Sequence, residues 1–122
     1  MTDEDIQKEL DKLCKSYAED LKKRWEFHQT EEYNELEDEY EDERTLYYLL
    51  DDILDLEFTC TADYSYISAE FALGIGGPNI YVDTRRGVVK GGWGNARSEY
   101  YIDDEVNAWL DDYFYDMWTM GR

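Results

Sequence analysis

Few residues in this 122-residue chain are of a type and spacing that could do chemistry. His28 is the only histidine, and Cys14 and Cys60 are the only cysteines. A nucleophilic triad needs a base held beside a nucleophile by a third group, and no motif flanks His28 that would supply either partner. It falls at the end of a helical pattern, where a cap or surface role is expected. A zinc site needs grouped Cys and His, which two cysteines 46 residues apart and one histidine do not provide. Acidic pairs occur at Asp51-Asp52, Asp103-Asp104 and Asp111-Asp112. General acid–base work needs carboxylates in contrasting environments, and nothing in the sequence sets one pair apart. No D-x-[DN]-x-[DN]-G calcium loop occurs. Gly74-Ile75-Gly76-Gly77 precedes a proline and a strand pattern, not the helix start that a phosphate loop requires, and reads as a tight turn. No catalytic residue, metal or cofactor is therefore expected.

One cluster remains. Residues 31–43, EEYNELEDEYEDE, hold nine carboxylates and no Lys or Arg: Glu31, Glu32, Glu35, Glu37, Asp38, Glu39, Glu41, Asp42 and Glu43. On a helix these charges would occupy roughly 20 Å of axis, about one per 2 Å. Duplex DNA carries about one per 1.7 Å. The chemistry this permits is electrostatic: a rigid acidic surface can enter the basic groove of a nucleic-acid-binding protein and exclude the true ligand. The tyrosines among and after the acids, Tyr33, Tyr40, Tyr47 and Tyr48, would serve as anchors where exposed; Tyr33, Tyr40 and Tyr47 are expected to belong to the core.

The elements that must position this cluster can be read from periodicity. Thr2 and Asp5 form a capping-box pattern, and Ile6, Leu10, Leu13, Tyr17, Leu21 and Trp25 make one apolar stripe, so a helix is predicted over Asp3–His28. Thr30 can cap a second helix carrying Tyr33, Leu36, Tyr40, Tyr47, Leu50 and Leu54, continuing the acidity through Asp51, Asp52, Asp55 and Glu57 and pairing with the first as an antiparallel hairpin. Strand patterns follow at 56–61, 66–75, 79–84 and 88–93, with a further candidate at 98–102. On the second, Ile67, Ala69, Phe71, Leu73 and Ile75 should share a face. Their short turns favour an antiparallel meander. Asp103 can cap a last helix whose apolar face (Val106, Trp109, Leu110, Tyr113, Phe114, Met117) would cover the sheet, with Asp111, Asp112 and Asp116 pointing away. The expected fold is a single α+β domain over 1–122: an acidic helical part at 1–57, then a three- to four-stranded antiparallel sheet with a C-terminal helix at 58–122.

The net charge is −19, from 31 Asp plus Glu against 12 Lys plus Arg. By region it runs −2 over 1–28, −12 over 29–57, +1 over 58–98 and −6 over 99–122. Direct nucleic-acid binding is disfavoured, since phosphate would be repelled. Aromatics make up 16% of the chain, far from the aromatic-poor composition of disordered acidic segments. No apolar run approaches the length of a membrane span, and the charged start MTDEDIQKEL is unlike a secretory signal, which suggests the cytoplasm of a bacterial host and reduced thiols. Arg85, Arg86, Lys90 and Arg97 on the hairpins would offset neighbouring acids.

Residues 54–94, LDLEFTCTADYSYISAEFALGIGGPNIYVDTRRGVVKGGWG, and above all GIGGPNIYVDT at 74–84, resemble small proteins carried by phages and mobile elements of Gram-positive bacteria. In size, acidity and mixed α/β pattern the chain also resembles acidic anti-CRISPR and antirestriction proteins, several of which imitate DNA. That resemblance implies a non-enzymatic inhibitor of a host defence nuclease, a CRISPR effector such as Cas9 or a restriction enzyme, but carries no residue roles with it. The nine acids of residues 31–43 are the expected partner-binding residues on physical grounds alone. An acidic antitoxin or immunity-type protein that neutralises a basic toxin is the alternative, and a homodimer is compatible with either.

Overall fold

A computed structural model describes residues 2–121. Helix α1 runs Asp3–His28, with the reciprocal Thr2–Asp5 capping box in place. Its apolar stripe buries Leu10, Cys14, Ala18 and Leu21. After a turn at Gln29 and Thr30 the chain departs from expectation. Instead of a second long helix there is one turn of helix, α2 (Glu31–Asn34), then irregular backbone from Glu35 to Thr45, then the short α3 (Leu46–Asp51).

The cause lies in the acids themselves. A continuous helix would stack Glu31 on Glu35, Glu35 on Glu39, Glu37 on Glu41 and Glu39 on Glu43, like charges at i,i+4 that destabilise it. Asp38 and Asp42 offer the backbone something better: each accepts from the amide two residues on, at Tyr40 and Arg44, both at 2.9 Å. Thr45 then restarts the helix by accepting from the Tyr48 amide at 3.1 Å.

The sheet has five strands, one more than the three or four expected: β1 (Asp55–Cys60), β2 (Tyr66–Gly74), β3 (Asn79–Asp83), β4 (Val88–Trp93) and β5 (Ala96–Tyr101), an antiparallel meander in sequence order. Helix α4 (Asp104–Met120) closes the chain, capped by Asp103. α1 lies along β4 and β5, and α4 crosses β2, so both helices cover one face. Between them and the sheet sits the core: Leu10, Leu21, Leu46, Leu50, Phe71, Ile80, Val82, Val89, Val106, Leu110 and Phe114. Gly91 permits the close approach of α1, because a Cβ there would stand 2.7 Å from Leu10 Cδ1 and 2.8 Å from Cys14 Sγ. Side chains alternate across a strand, so Lys90 and Gly92 face the other way, on a sheet face without helices.

Other expectations change in detail. On β2, Ala69 and Phe71 are buried, but the register shifts between Ala72 and Gly74 and leaves Ile75 beyond the strand, 55% exposed. Asp111 does not point away from the core: it accepts from the Tyr66 hydroxyl at 2.6 Å and the Thr84 hydroxyl at 3.1 Å, joining α4 to β2 and to the end of β3. Both cysteines are free, Cys14 buried and Cys60 half-buried. No helix among the described residues is long and apolar enough to cross a membrane.

Candidate partner-binding surface

The acidic segment is built outward from His28. The ring is buried at the end of α1, and its Nε2 accepts from the Leu46 amide at 3.0 Å, tying the end of the first helix to the start of α3. It stacks on Tyr33 (centroids 4.4 Å, 15° between planes) and on Tyr47 (5.6 Å), while Trp109 of α4 meets it edge-on at 5.3 Å. Burial pushes the imidazole below its ordinary value of 6.5 despite the Glu39 carboxylate nearby, so the neutral, accepting form is favoured. His28 is thus the inner pin of the acidic segment and not the cap or surface residue expected.

Three further residues hold the segment from beneath. Thr45 is fully buried, and its hydroxyl lies 2.8 Å from the Glu39 carbonyl and 3.0 Å from that of Asp42. Arg24 of α1 donates to the carbonyls of Glu43 and Thr45 at 2.7 and 2.9 Å. Arg44 lies over the Phe27 ring at 4.3 Å and is paired with both Asp42 and Glu32. Its hydrogen bonds hold the Asp42 carboxyl down to about 2.

These contacts divide the nine expected acids. Glu39 accepts from the Tyr33 hydroxyl at 2.5 Å, and Asp42 and Glu32 are engaged by Arg44. Burial first, then Glu39, raises the Tyr33 phenol so that it remains a donor. The other six, Glu31, Glu35, Glu37, Asp38, Glu41 and Glu43, are exposed. Glu31 opens the single turn of α2 and the other five ride on the folded loop, not in a row along one helix, so the DNA-like spacing of roughly one charge per 2 Å of axis does not carry over. What persists is a high local density of charge on an anchored backbone. Tyr40, expected in the core, is 60% exposed and rests on Tyr47 (4.6 Å); Tyr48 is 40% exposed. Both stand among the acids as aromatic contacts.

α4 extends this end of the molecule. Tyr47 meets Trp109 and Tyr113 at 5.2 and 6.0 Å, and the Tyr113 phenol is raised by burial, then by Tyr40 and Asp51. Asp51, Asp52, Asp112 and Asp116 are exposed on the two helices. The hairpin cations lie elsewhere: Lys90 pairs with Glu70 (3.2 Å) and Asp83 (3.6 Å), Arg86 with Glu99, and Arg97 donates to the carbonyls of Gly94 and Ala96. The depression of about 490 Å³ that Lys90 and Arg97 border with Tyr81 and Gly92 thus holds one ion-paired cation and one bonded only to backbone carbonyls.

The one histidine is committed to a backbone amide, and among the described residues no three or more His, Cys, Asp or Glu converge as a metal-binding group. Arg24, His28 and Thr45 escaped sequence reasoning because their work is done through backbone atoms. Thr45 alone left a signal, as a cap-type residue before the apolar run Leu46–Leu50. Comparison with protein-family models, curated proteins and solved structures found no match.

Proposed function

We propose that this protein is a non-enzymatic inhibitor that occupies the basic nucleic-acid groove of a host defence nuclease, a CRISPR effector such as Cas9 being the leading candidate. The observation that carries the proposal is the pinned acidic loop: six carboxylates face solvent while His28, Arg24 and Thr45 fix the backbone beneath them. A charged surface whose shape is set before binding loses little entropy on docking. A disordered acidic tract would have to be ordered by its partner. Arg44, the only cation within 29–57, is neutralised by Asp42 and Glu32, so the surface offered to a partner is of one sign. Tyr40 and Tyr48 add apolar contact in its midst, of the kind that anchors interfaces.

The contacts are expected to involve Glu31, Glu35, Glu37, Asp38, Glu41 and Glu43 directly, with Glu32, Glu39 and Asp42 shaping the loop. The test is charge reversal. The variant Glu35→Lys/Glu37→Lys/Glu41→Lys/Glu43→Lys should fold and lose inhibition of nuclease cleavage. Reversal of Glu4, Glu9, Glu19 and Glu26 on α1, with the same change in net charge, should retain it. Equal loss in both variants would reduce the effect to bulk charge, and retention in both would remove the loop from the mechanism.

A further inference from the structure

The two edges of the sheet are defended unequally. An unpaired edge strand invites another strand, and proteins blunt it with bulges, proline or repelling charges. β1 carries such devices: its register shifts between Thr59 and Cys60, and Asp55 and Glu57 would meet like charges in a second copy. β5 has neither bulge nor proline, its two charges are of opposite sign, and Gln7 of α1 reaches only one of its outward carbonyls. Its six residues, ARSEYY, pair with β4 in unbroken register from Val88↔Tyr101 to Trp93↔Ala96.

The outward groups of β5 can be assigned. The Ile102 amide donates to the Gly87 carbonyl at 2.8 Å, so 102 and 87 form a hydrogen-bonded pair. In an antiparallel ladder such pairs alternate, and therefore Ala96, Ser98 and Tyr100 turn their backbone groups toward β4. Arg97, Glu99 and Tyr101 turn theirs outward. Gln7 of α1 confirms the direction, since its side-chain amide reaches the Arg97 carbonyl at 2.8 Å from outside the ladder. That carbonyl has a second lone pair available. Tyr101 at the far end is 79% exposed.

We infer that β5 is the self-association edge of this protein, pairing antiparallel with β5 of a second copy about a two-fold axis at Ser98. This register places Arg97 of each copy opposite Glu99 of the other as hydrogen-bonded pairs, on the sheet face away from the helices. Each edge therefore answers its own charges, as an isologous contact must. Glu99 already accepts from Arg86 of its own chain, so each pairing extends to an Arg–Glu–Arg ladder. Tyr100 falls opposite Ala96 of the other copy, a large side chain over a small one. The contact joins two five-stranded sheets into one, and β5 itself is neutral, with Arg97 against Glu99. It stands whether or not the acidic loop binds a basic partner.

Sedimentation equilibrium of the full chain, at up to roughly 100 µM and at low and high salt, tests this. The chain mass is 14.6 kDa, and the expected result is a species of twice that mass. Association should strengthen with salt, since each copy carries −19 and their repulsion is screened. Glu99→Pro removes an outward amide while sparing the β4 ladder, and should return the chain to monomer. Arg97→Glu sets like charges opposite each other twice and should weaken the dimer roughly tenfold, whereas Arg97→Lys, which keeps the sign and leaves Glu99 with Arg86, should retain it. The charge pair keeps the test decisive if the proline variant fails to fold. A monomer under all conditions, or a dimer indifferent to Glu99→Pro and Arg97→Glu, overturns the inference.

Discussion

Replacing His28 with phenylalanine isolates the pin beneath the acidic loop. The new ring keeps the stack on Tyr33 and Tyr47 and the edge contact with Trp109 but cannot accept from the Leu46 amide. That amide is left buried without its partner, a cost of about 1–3 kcal/mol. The pH dependence carries a second signature. Folding depresses the imidazole below 6.5, so the unfolded chain takes up the proton first as pH falls. The stabilising contribution of neutral His28 is complete above 6.5 and declines below it toward the folded-state value, by about 1.4 kcal/mol for each unit of depression. A phenyl ring does not titrate and contributes no such dependence. In urea unfolding followed by Trp fluorescence, the His28→Phe variant should be about 2 kcal/mol less stable at pH 7.5, and the gap should narrow at pH 5.5. Taking the difference between the two proteins removes the general effect of acidification on so many carboxylates. A gap that is constant or widens on acidification would refute the assignment of His28 as a neutral acceptor.

Other substitutions probe separate parts of the account. Arg24→Ala releases the Glu43 and Thr45 carbonyls, and should raise amide exchange and protease cleavage over 36–45 while costing about 1–2 kcal/mol of global stability. Gly91→Ala drives a methyl into Leu10 and Cys14 and should lower stability by about 1–3 kcal/mol in thermal unfolding. Tyr66→Phe deletes the donor to Asp111 but leaves Thr84, and should cost about 1 kcal/mol by the same assay.

Much of the frame was legible in the sequence because local rules and tertiary packing agree there. α1 spans Asp3–His28 as its capping box and stripe require, and Asp103 caps the last helix. β5 is short, and its pattern of Arg97, Ser98 and Glu99 carries little apolar signal; pairing with β4 and cover from α1 make it a strand. The acidic segment departs from its helical pattern for a different reason. Spacings of three and four among Tyr33, Leu36 and Tyr40 imitate a helix, but repulsion between acids a turn apart and the Asx-type bonds of Asp38 and Asp42 win locally. His28 and Arg24 bond to backbone atoms distant in sequence, which no composition or spacing reports. The cluster of carboxylates itself is legible, since acids without cations are visible in any conformation. Its geometry is not.

The central claim is that the loop competes with nucleic acid for a basic groove. The direct measurement is displacement of labelled target DNA from a guide-loaded Cas9-type effector by this protein, titrated at several salt concentrations alongside the Glu35, Glu37, Glu41 and Glu43 reversal. The account predicts competitive displacement by the native chain, weakening on the order of tenfold or more as ionic strength rises from about 0.05 to 0.5 M, and none by the reversed loop. Displacement that is insensitive to salt, or that the reversed loop performs equally well, would contradict it.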